Sequence, residues 1–261
     1  MFSREPRCIY RANQLNEVIC QLRFPEIHSI STSLPAAFQE AIRDEFPRFS
    51  SRQESLPPKI TGAPGNLTLE NQPSVINYQF VSADGMWKVN LTNTFISLAC
   101  ANYTCWEDFA RKLDKPLAAF IKLYQPVCFE RIGLRYLNFI SREKLGLENI
   151  PFRELIQSCY LGPLGEEDVA DAAVHHSTVD AEMAIRGGCR LKIHSGPGIV
   201  TKNGQQDREL KFIFDMDLFM PGKIEAKLSA GALNTLHSQA HGIFRGAITD
   251  LLHNAMEPEI I

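Results

Sequence analysis

The chain has 261 residues, and its 44% hydrophobic and 22% charged content is typical of a globular protein with a substantial core. Thirty acidic and 27 basic side chains give a net charge of −3, which argues against nucleic acid as the main partner, because phosphate binding favours a basic excess. No apolar run approaches the roughly 18–20 residues of a transmembrane helix, so we expect no membrane partner. Since the N-terminus also lacks the apolar core of a secretory signal, these features predict a cytoplasmic protein.

The cysteines indicate the same location. They number seven, form no Cys-x-x-Cys motif, and include Cys20, Cys100 and Cys128 within apolar stretches. An odd number of thiols in apolar surroundings is typical of reduced, buried side chains rather than of a disulfide framework.

The first elements of the chain are predicted to be a strand and a helix. Residues 9–24 end in a run of β-branched and aromatic residues with near-alternation, which predicts a strand. Within residues 34–46, Phe38, Ile42 and Phe46 recur every four positions, and this spacing predicts a helix with one apolar face.

The rest of the first half is predicted to be a loop, a hairpin and a long helix. Residues 48–74 are rich in Ser, Pro and Gly, so we expect a long loop, with room for one short strand around 67–69. Strands over 77–81 and 87–100 flank an Asp-Gly turn, which is a strong hairpin signal. A helix over 104–124 follows, because its apolar residues recur at three- and four-residue spacing.

The second half repeats this order of elements. A strand over 127–140 precedes strands near 170–179, 181–193 and 210–219, and a final helix over about 229–256 carries an apolar stripe.

Short similar segments accompany the repeated order of elements. For example, Leu134-Arg135-Tyr136 in the second half resembles Leu22-Arg23-Phe24 in the first. The predicted fold class is α+β, with a large antiparallel sheet and long helices packed on one face. Residues 1–126 and 127–261 form either two similar β-α-β-β-(β)-α halves or one continuous domain.

Several motifs resemble those of a sporadically distributed family of uncharacterised prokaryotic proteins. They are the opening EVICQLRFP at Glu17–Pro25, the central RIGLRYLN at Arg131–Asn138, and the late DMD at Asp215–Asp217 and ITDLL at Ile248–Leu252. The resemblance spans nearly the whole chain but implies no particular reaction, because the family has none assigned. Its patchy occurrence resembles that of mobile or defence-related genome segments, which implies an antitoxin-like or accessory partner of a neighbouring gene product.

Two arginines are the first candidates for a binding site. Arg23 and Arg135 each lie in a mostly apolar strand, where a guanidinium needs a carboxylate, a phosphate or carbonyl groups as partners. They either form structural ion pairs or line a cleft that binds an anion or a partner's acidic group. Tyr136 and Asn138 complete this candidate set, although strand alternation puts Asn138 on the opposite face from Arg135.

Two histidines and two aspartates are candidate metal ligands. His237 and His241 are four residues apart on the last predicted helix, so both imidazoles point the same way, as in many zinc sites. Asp215 and Asp217 share one face of a strand and could add carboxylates. The alternative is a pair of histidines packed at the edge of the core and a pair of solvent-facing carboxylates. Apart from this candidate divalent ion, no cofactor is predicted, since the sequence has no P-loop and no Gly-x-Gly-x-x-Gly motif.

The leading functional hypothesis is a non-enzymatic interaction protein whose partner is encoded nearby or is a second copy. Two alternatives stay open: a ligand- or nucleotide-sensing domain that binds an anion through Arg23 and Arg135, and a metal-dependent hydrolase or nuclease built on the aspartates and histidines. The predicted core residues are Val18, Leu22, Phe38, Trp106, Phe109, Leu134, Leu236 and Phe244.

Overall fold

A computed structural model of the chain describes residues 2–55, 59–63, 66–70, 74–202 and 204–260. The strands are β1 (Cys8–Tyr10), β2 (Leu15–Arg23), β3 (Arg48–Glu54), β4 (Lys59–Ala63), β5 (Asn66–Glu70), β6 (Val75–Val81), β7 (Trp87–Leu91), β8 (Phe95–Cys100), β9 (Phe129–Ile140), β10 (Val179–Ala184), β11 (Arg190–Lys202), β12 (Gln205–Ile224) and β13 (Pro258–Ile260). The α-helices are α1 (His28–Thr32), α2 (Ala36–Ile42), α3 (Trp106–Tyr124), α4 (Arg142–Leu145), α5 (Ser229–Ala247) and α6 (Asp250–Ala255).

Nine strands form one antiparallel sheet in the order β10-β11-β12-β9-β2-β8-β7-β6-β3. At its centre β2 pairs with β9, with Val18 opposite Tyr136 and Leu22 opposite Ile132. Two separate ribbons join β1 to β13 and β4 to β5. The predicted α+β class with a large antiparallel sheet is confirmed.

The sheet order follows the repeated order of elements in the chain. One side of the β2–β9 centre is built from β8, β7, β6 and β3, and the other from β12, β11 and β10. Each half has a central strand, a helical segment, a run of antiparallel strands and a long helix. The run contributes four strands to the sheet in the first half and three in the second, and α3 and α5 each have 19 residues. Because β2 and β9 pair directly, the two segments share one continuous sheet.

The core lies between one face of this sheet and the long helices. Alternation along β2 buries Val18, Cys20 and Leu22 on this inner face. All the residues predicted for the core are buried, as the sequence pattern required: Val18, Leu22, Phe38, Trp106, Phe109, Leu134, Leu236 and Phe244. None of the helices in the described ranges has an apolar stretch of the length that crossing a bilayer requires.

The prediction of a long loop over residues 48–74 is wrong. In that region β3 pairs with β6 and extends the edge of the sheet, while β4 and β5 form a hairpin. Every residue of β3 is exposed, so the strand lacks the apolar alternation that would have marked it. Its pairing is set by backbone hydrogen bonds at the sheet edge. The short strand expected around 67–69 is confirmed by β5.

Two predictions in the second half also need correction. No strand forms over 170–179 before β10 begins at Val179, because this segment holds a short 3₁₀ helix at Asp171–Ala173. The strand predicted over 181–193 is instead the β10–β11 hairpin. The turn that the sequence predicts at Gly187-Gly188 is confirmed, and both glycines have φ of 71°.

The final helix is two helices rather than one. α5 ends at Ala247, and α6 begins at Asp250 after an extended Ile248. The Thr249 hydroxyl accepts a hydrogen bond from the backbone N–H of Leu252, which caps α6.

Candidate functional site

The sheet separates the predicted site residues into two groups. Those on the outer face, away from the long helices, are Arg23, Arg135, Asp215 and Asp217. Those on the inner side, next to α5, are Tyr136, Asn138, His237 and His241. Strand alternation causes the split, because successive side chains of β9 point to opposite faces.

On the outer face, Asp215 and Asp217 each form an ion pair with an arginine. Arg135 donates from Nε to Asp215 Oδ1 at 2.7 Å and from a terminal nitrogen to the other carboxylate oxygen. Arg131 Nη2 donates to both oxygens of Asp217 at 2.7 Å. The Arg131 side chain lies across Gly133, where a Cβ would come within 2.2 Å of the guanidinium, so the glycine allows this ion pair. Both are structural ion pairs, which is one of the two roles considered for Arg135, and the Arg135 pair is bidentate.

Arg23 and Arg135 do not meet in one site. Arg135 is opposite Ile19 on β2, four residues before Arg23 and thus roughly 13 Å away along the strand. Arg23 is exposed and donates from Nε to Gln21 Oε1 at 3.1 Å. The structure therefore does not form the shared anion site that was predicted for these two arginines.

The four candidate metal ligands do not meet either. His237 and His241 are on α5, whereas Asp215 and Asp217 are on the far side of the sheet. The predicted metal site of these four residues is therefore not formed. Within the described ranges, no group of three or more His, Cys, Asp or Glu side chains is arranged to hold a metal ion.

The inner group lines a cavity of about 100 Å³, here called the histidine cavity. It lies between α5, strands β9 and β12, and the N-terminal arm, which we define as residues 2–10. Most of its wall is apolar, with Ile9, Leu15, Met216, Phe244 and Met256. The polar groups in the wall include Gln14, Tyr103, Tyr136, Asn138, His237 and His241.

His237 is held by two aromatic neighbours. Its Nδ1 is 2.9 Å from the Tyr136 hydroxyl, and its ring stacks on Trp106 with centroids 4.6 Å apart. Trp106 is itself fixed, because its Nε1 donates to Asn234 Oδ1 at 3.1 Å. Burial lowers the pKa of His237 to about 4, so its imidazole is neutral at pH 7.

His241, Tyr103 and Tyr136 in the cavity wall are neutral as well. Burial lowers the pKa of His241 below its ordinary value. Burial also raises the pKa of Tyr103 and of Tyr136, so both hydroxyls keep their protons. Nε2 of His237 and Nε2 of His241 are shielded from solvent and have no hydrogen-bond partner among the described residues. Such atoms are uncommon, since a buried polar atom normally has a partner.

The N-terminal arm forms one side of the cavity and contacts both α3 and α5. Arg7 donates to both oxygens of Glu107 at 2.7 and 3.0 Å, and this ion pair lowers the pKa of Glu107 to about 2. The backbone N–H of Ser3 donates to the Gly242 carbonyl at 2.8 Å. A Cβ at Gly242 would lie 2.8 Å from the Ser3 carbonyl oxygen, so glycine permits this close approach.

Sequence analysis identified part of this cavity and missed the rest. The i, i+4 spacing of His237 and His241 and the alternation of β9 were the available signals. No sequence signal placed Tyr103 or the N-terminal arm at the cavity. Their position depends on contacts with distant segments, such as the pairing of β1 with β13.

No protein-family model matches this sequence, and no curated protein matches it.

Proposed function

We propose that this chain is a binding protein that holds a small uncharged molecule in the histidine cavity. The observation that supports this function is the cavity itself, whose mostly apolar wall carries a few polar side chains, among them Gln14, Tyr103 and Asn138. Small-molecule sites are typically concave and apolar, with a few polar groups that orient the ligand. The proposal concerns binding and includes no chemical step.

The surroundings of the cavity favour a ligand without charge. Arg7 and Glu107 are paired with each other, and the histidines and tyrosines in the wall are neutral at pH 7. A charged ligand would therefore lose its hydration without gaining a free counter-charge, which is costly. Benzene, with six non-hydrogen atoms, fits a cavity of about 150 Å³, so the 100 Å³ here holds about four. Because the cavity is partly open, a ring of six non-hydrogen atoms would extend into its mouth.

Filling the cavity should abolish binding. Ala240 lies on the cavity wall, and Ala240→Leu would place three more carbon atoms in the ligand's space. In the wild type, at least one of cyclopentanol, cyclopentanone and 2-pyrrolidinone should raise the melting temperature by roughly 2–5 °C at ten times its Kd. Ala240→Leu should show no such shift.

Ala230→Leu is the matched control, because Ala230 is exposed on the same helix. It should respond to the ligands as the wild type does. The proposal fails if none of the three compounds, at tens of millimolar, changes either the melting temperature or the fluorescence of Trp106 in a Trp87→Phe background.

We propose a second function, docking of a protein encoded by a neighbouring gene, on the outer face of the sheet. The observation that favours it is that Ile19, Leu137 and Phe139 are only partly buried there, beside the half-exposed Arg135. Apolar side chains with arginine among them are typical of interface centres.

Co-expression with each flanking gene product tests this second function. We expect a complex that survives size-exclusion chromatography and that Leu137→Glu abolishes, because Leu137 is opposite Glu17 and Asp215 and a third carboxylate would oppose docking. Leu123→Glu, at an exposed position of α3, should leave the complex intact. Absence of a complex, or an unchanged complex with Leu137→Glu, would refute the proposal.

A further inference from the structure

We infer that a second cleft, here called the arginine cleft, binds a small phosphate monoester through Arg4 and Arg186. The cleft has a volume of about 540 Å³, which is within the range of small-molecule sites, about 300–1,000 Å³. It is lined by residues 2–4 of the N-terminal arm, residues 184–186 next to the β10–β11 turn, and Ser238, Gln239 and Gly242 of α5. The arginine cleft shares no lining residue with the histidine cavity, so this site is separate from the one proposed above.

Contacts with one turn of α5 bring the two arginines to the same cleft. Gln239 Nε2 donates to the backbone carbonyl of Arg186 at 3.2 Å, which holds the β10–β11 turn against the helix. The backbone N–H of Ser3 donates to the Gly242 carbonyl at 2.8 Å, which holds the arm there as well. Gln239 and Gly242 are three residues apart, so they lie on the same side of the helix. Arg186 and Arg4, the residue after Ser3, are therefore placed next to the same helix face.

The arginine cleft has positive charge and no negative charge of its own. None of the residues that line it is acidic. Glu5, the carboxylate next to Arg4 in the chain, pairs with Arg245 instead, at 2.7 Å. Both Arg4 and Arg186 are exposed, and neither forms an ion pair within the described ranges. An anion that entered the cleft would therefore gain two cationic partners without displacing a carboxylate.

Two such guanidinium groups match a phosphate monoester. Guanidinium N–H groups form paired hydrogen bonds with phosphate and carboxylate oxygens. The phosphate monoester is the better match of the two, because it carries close to two negative charges at pH 8 and has three terminal oxygens, whereas a carboxylate carries one charge. Phe2 and Ile185 supply an apolar part of the wall, so we expect the body of the ligand to be apolar as well.

Three compounds test this ligand class by titration calorimetry on the full-length protein at pH 8. We expect phenyl phosphate to bind about tenfold more tightly than benzenesulfonate, which has the same ring but one negative charge. Inorganic phosphate should also bind more weakly than phenyl phosphate, because it has no apolar body. Equal or tighter binding of either of these two compounds would overturn the inference, as would no binding of phenyl phosphate at about 10 mM. None of these results bears on the histidine cavity, whose ligands are uncharged.

Substitutions test the two arginines separately. Arg4→Gln and Arg186→Gln should each weaken phenyl phosphate binding about tenfold, because each removes one charged donor group from the cleft. Arg208→Gln is the matched control, since it removes the same charge from an exposed position of β12 that does not line the cleft. It should leave the affinity within about twofold.

Two results with these variants would overturn the inference. Equal losses of affinity in Arg4→Gln, Arg186→Gln and Arg208→Gln would show that the ligand responds only to the net charge of the protein. An unchanged affinity in Arg4→Gln or in Arg186→Gln would show that the two arginines do not hold one ligand. All three side chains are exposed, so we expect the variants to fold as the wild type does.

Discussion

Replacing Trp106 with alanine should lower the free energy of unfolding by about 3–5 kcal/mol, the range for large aromatic residues in a protein core. Trp106 is 7% exposed at the start of α3 and stacks on His237 of α5, so it joins the two long helices. It also stacks on Phe109, with centroids 6.0 Å apart. The substitution would remove these contacts and leave Asn234 without its hydrogen-bond donor.

Chemical denaturation with far-UV circular dichroism would measure this loss. Trp106→Phe should lower the free energy of unfolding by less, because it keeps an aromatic ring and loses mainly the hydrogen bond to Asn234. Trp87→Ala provides a second comparison, since Trp87 is only partly buried on β7 and should also cost less. If Trp106→Ala costs under about 1 kcal/mol, Trp106 does not join the helices as described.

Acid should destabilise the protein through His237. Its pKa is about 4 in the folded state, against an ordinary value of 6.5, because burial disfavours the charged ring. Between these two values the unfolded chain binds a proton that the folded chain does not, so stability falls as the pH falls. The contribution is fully present above about pH 6.5, declines toward pH 4, and amounts to about 3 kcal/mol.

The variant His237→Phe separates this effect from the other groups around the ring. Arg7, Glu107 and His241 face His237, and the low pKa of Glu107 adds a further loss of stability below about pH 4.5. His237→Phe keeps a ring against Trp106 but cannot bind the proton. Urea unfolding from pH 7 to pH 4 should therefore show a loss about 3 kcal/mol smaller in the variant. Parallel pH profiles would show that His237 is not buried in its neutral form.

The periodic parts of the fold were predictable from sequence. Apolar residues at helical spacing predicted α3, and alternation within residues 127–140 predicted β9. The prediction of secondary structure failed where the sequence has no apolar periodicity, as in β3, whose residues are all exposed. It also failed at Ile248, where the apolar stripe continues although the backbone leaves the helix.

The candidate site was predictable only in pieces. The spacing of His237 and His241 was visible, and alternation correctly put Asn138 on the opposite face from Arg135. The hydrogen-bond partner of His237 could not be predicted. Tyr136 is 101 positions before His237, and local sequence patterns contain no information on contacts across that separation.

By itself, the sequence determined the α+β class, the residues of the core and the helical pairing of two histidines, because these depend on periodicity that a short window contains. Only the tertiary structure decided that Asp215 pairs with Arg135 on one face of the sheet while His237 lines a cavity on the other face. Which strands become neighbours, and what the N-terminal arm covers, depends on packing between segments far apart in the chain. Those contacts stabilise the protein only after the chain has closed long loops, so no local pattern records them.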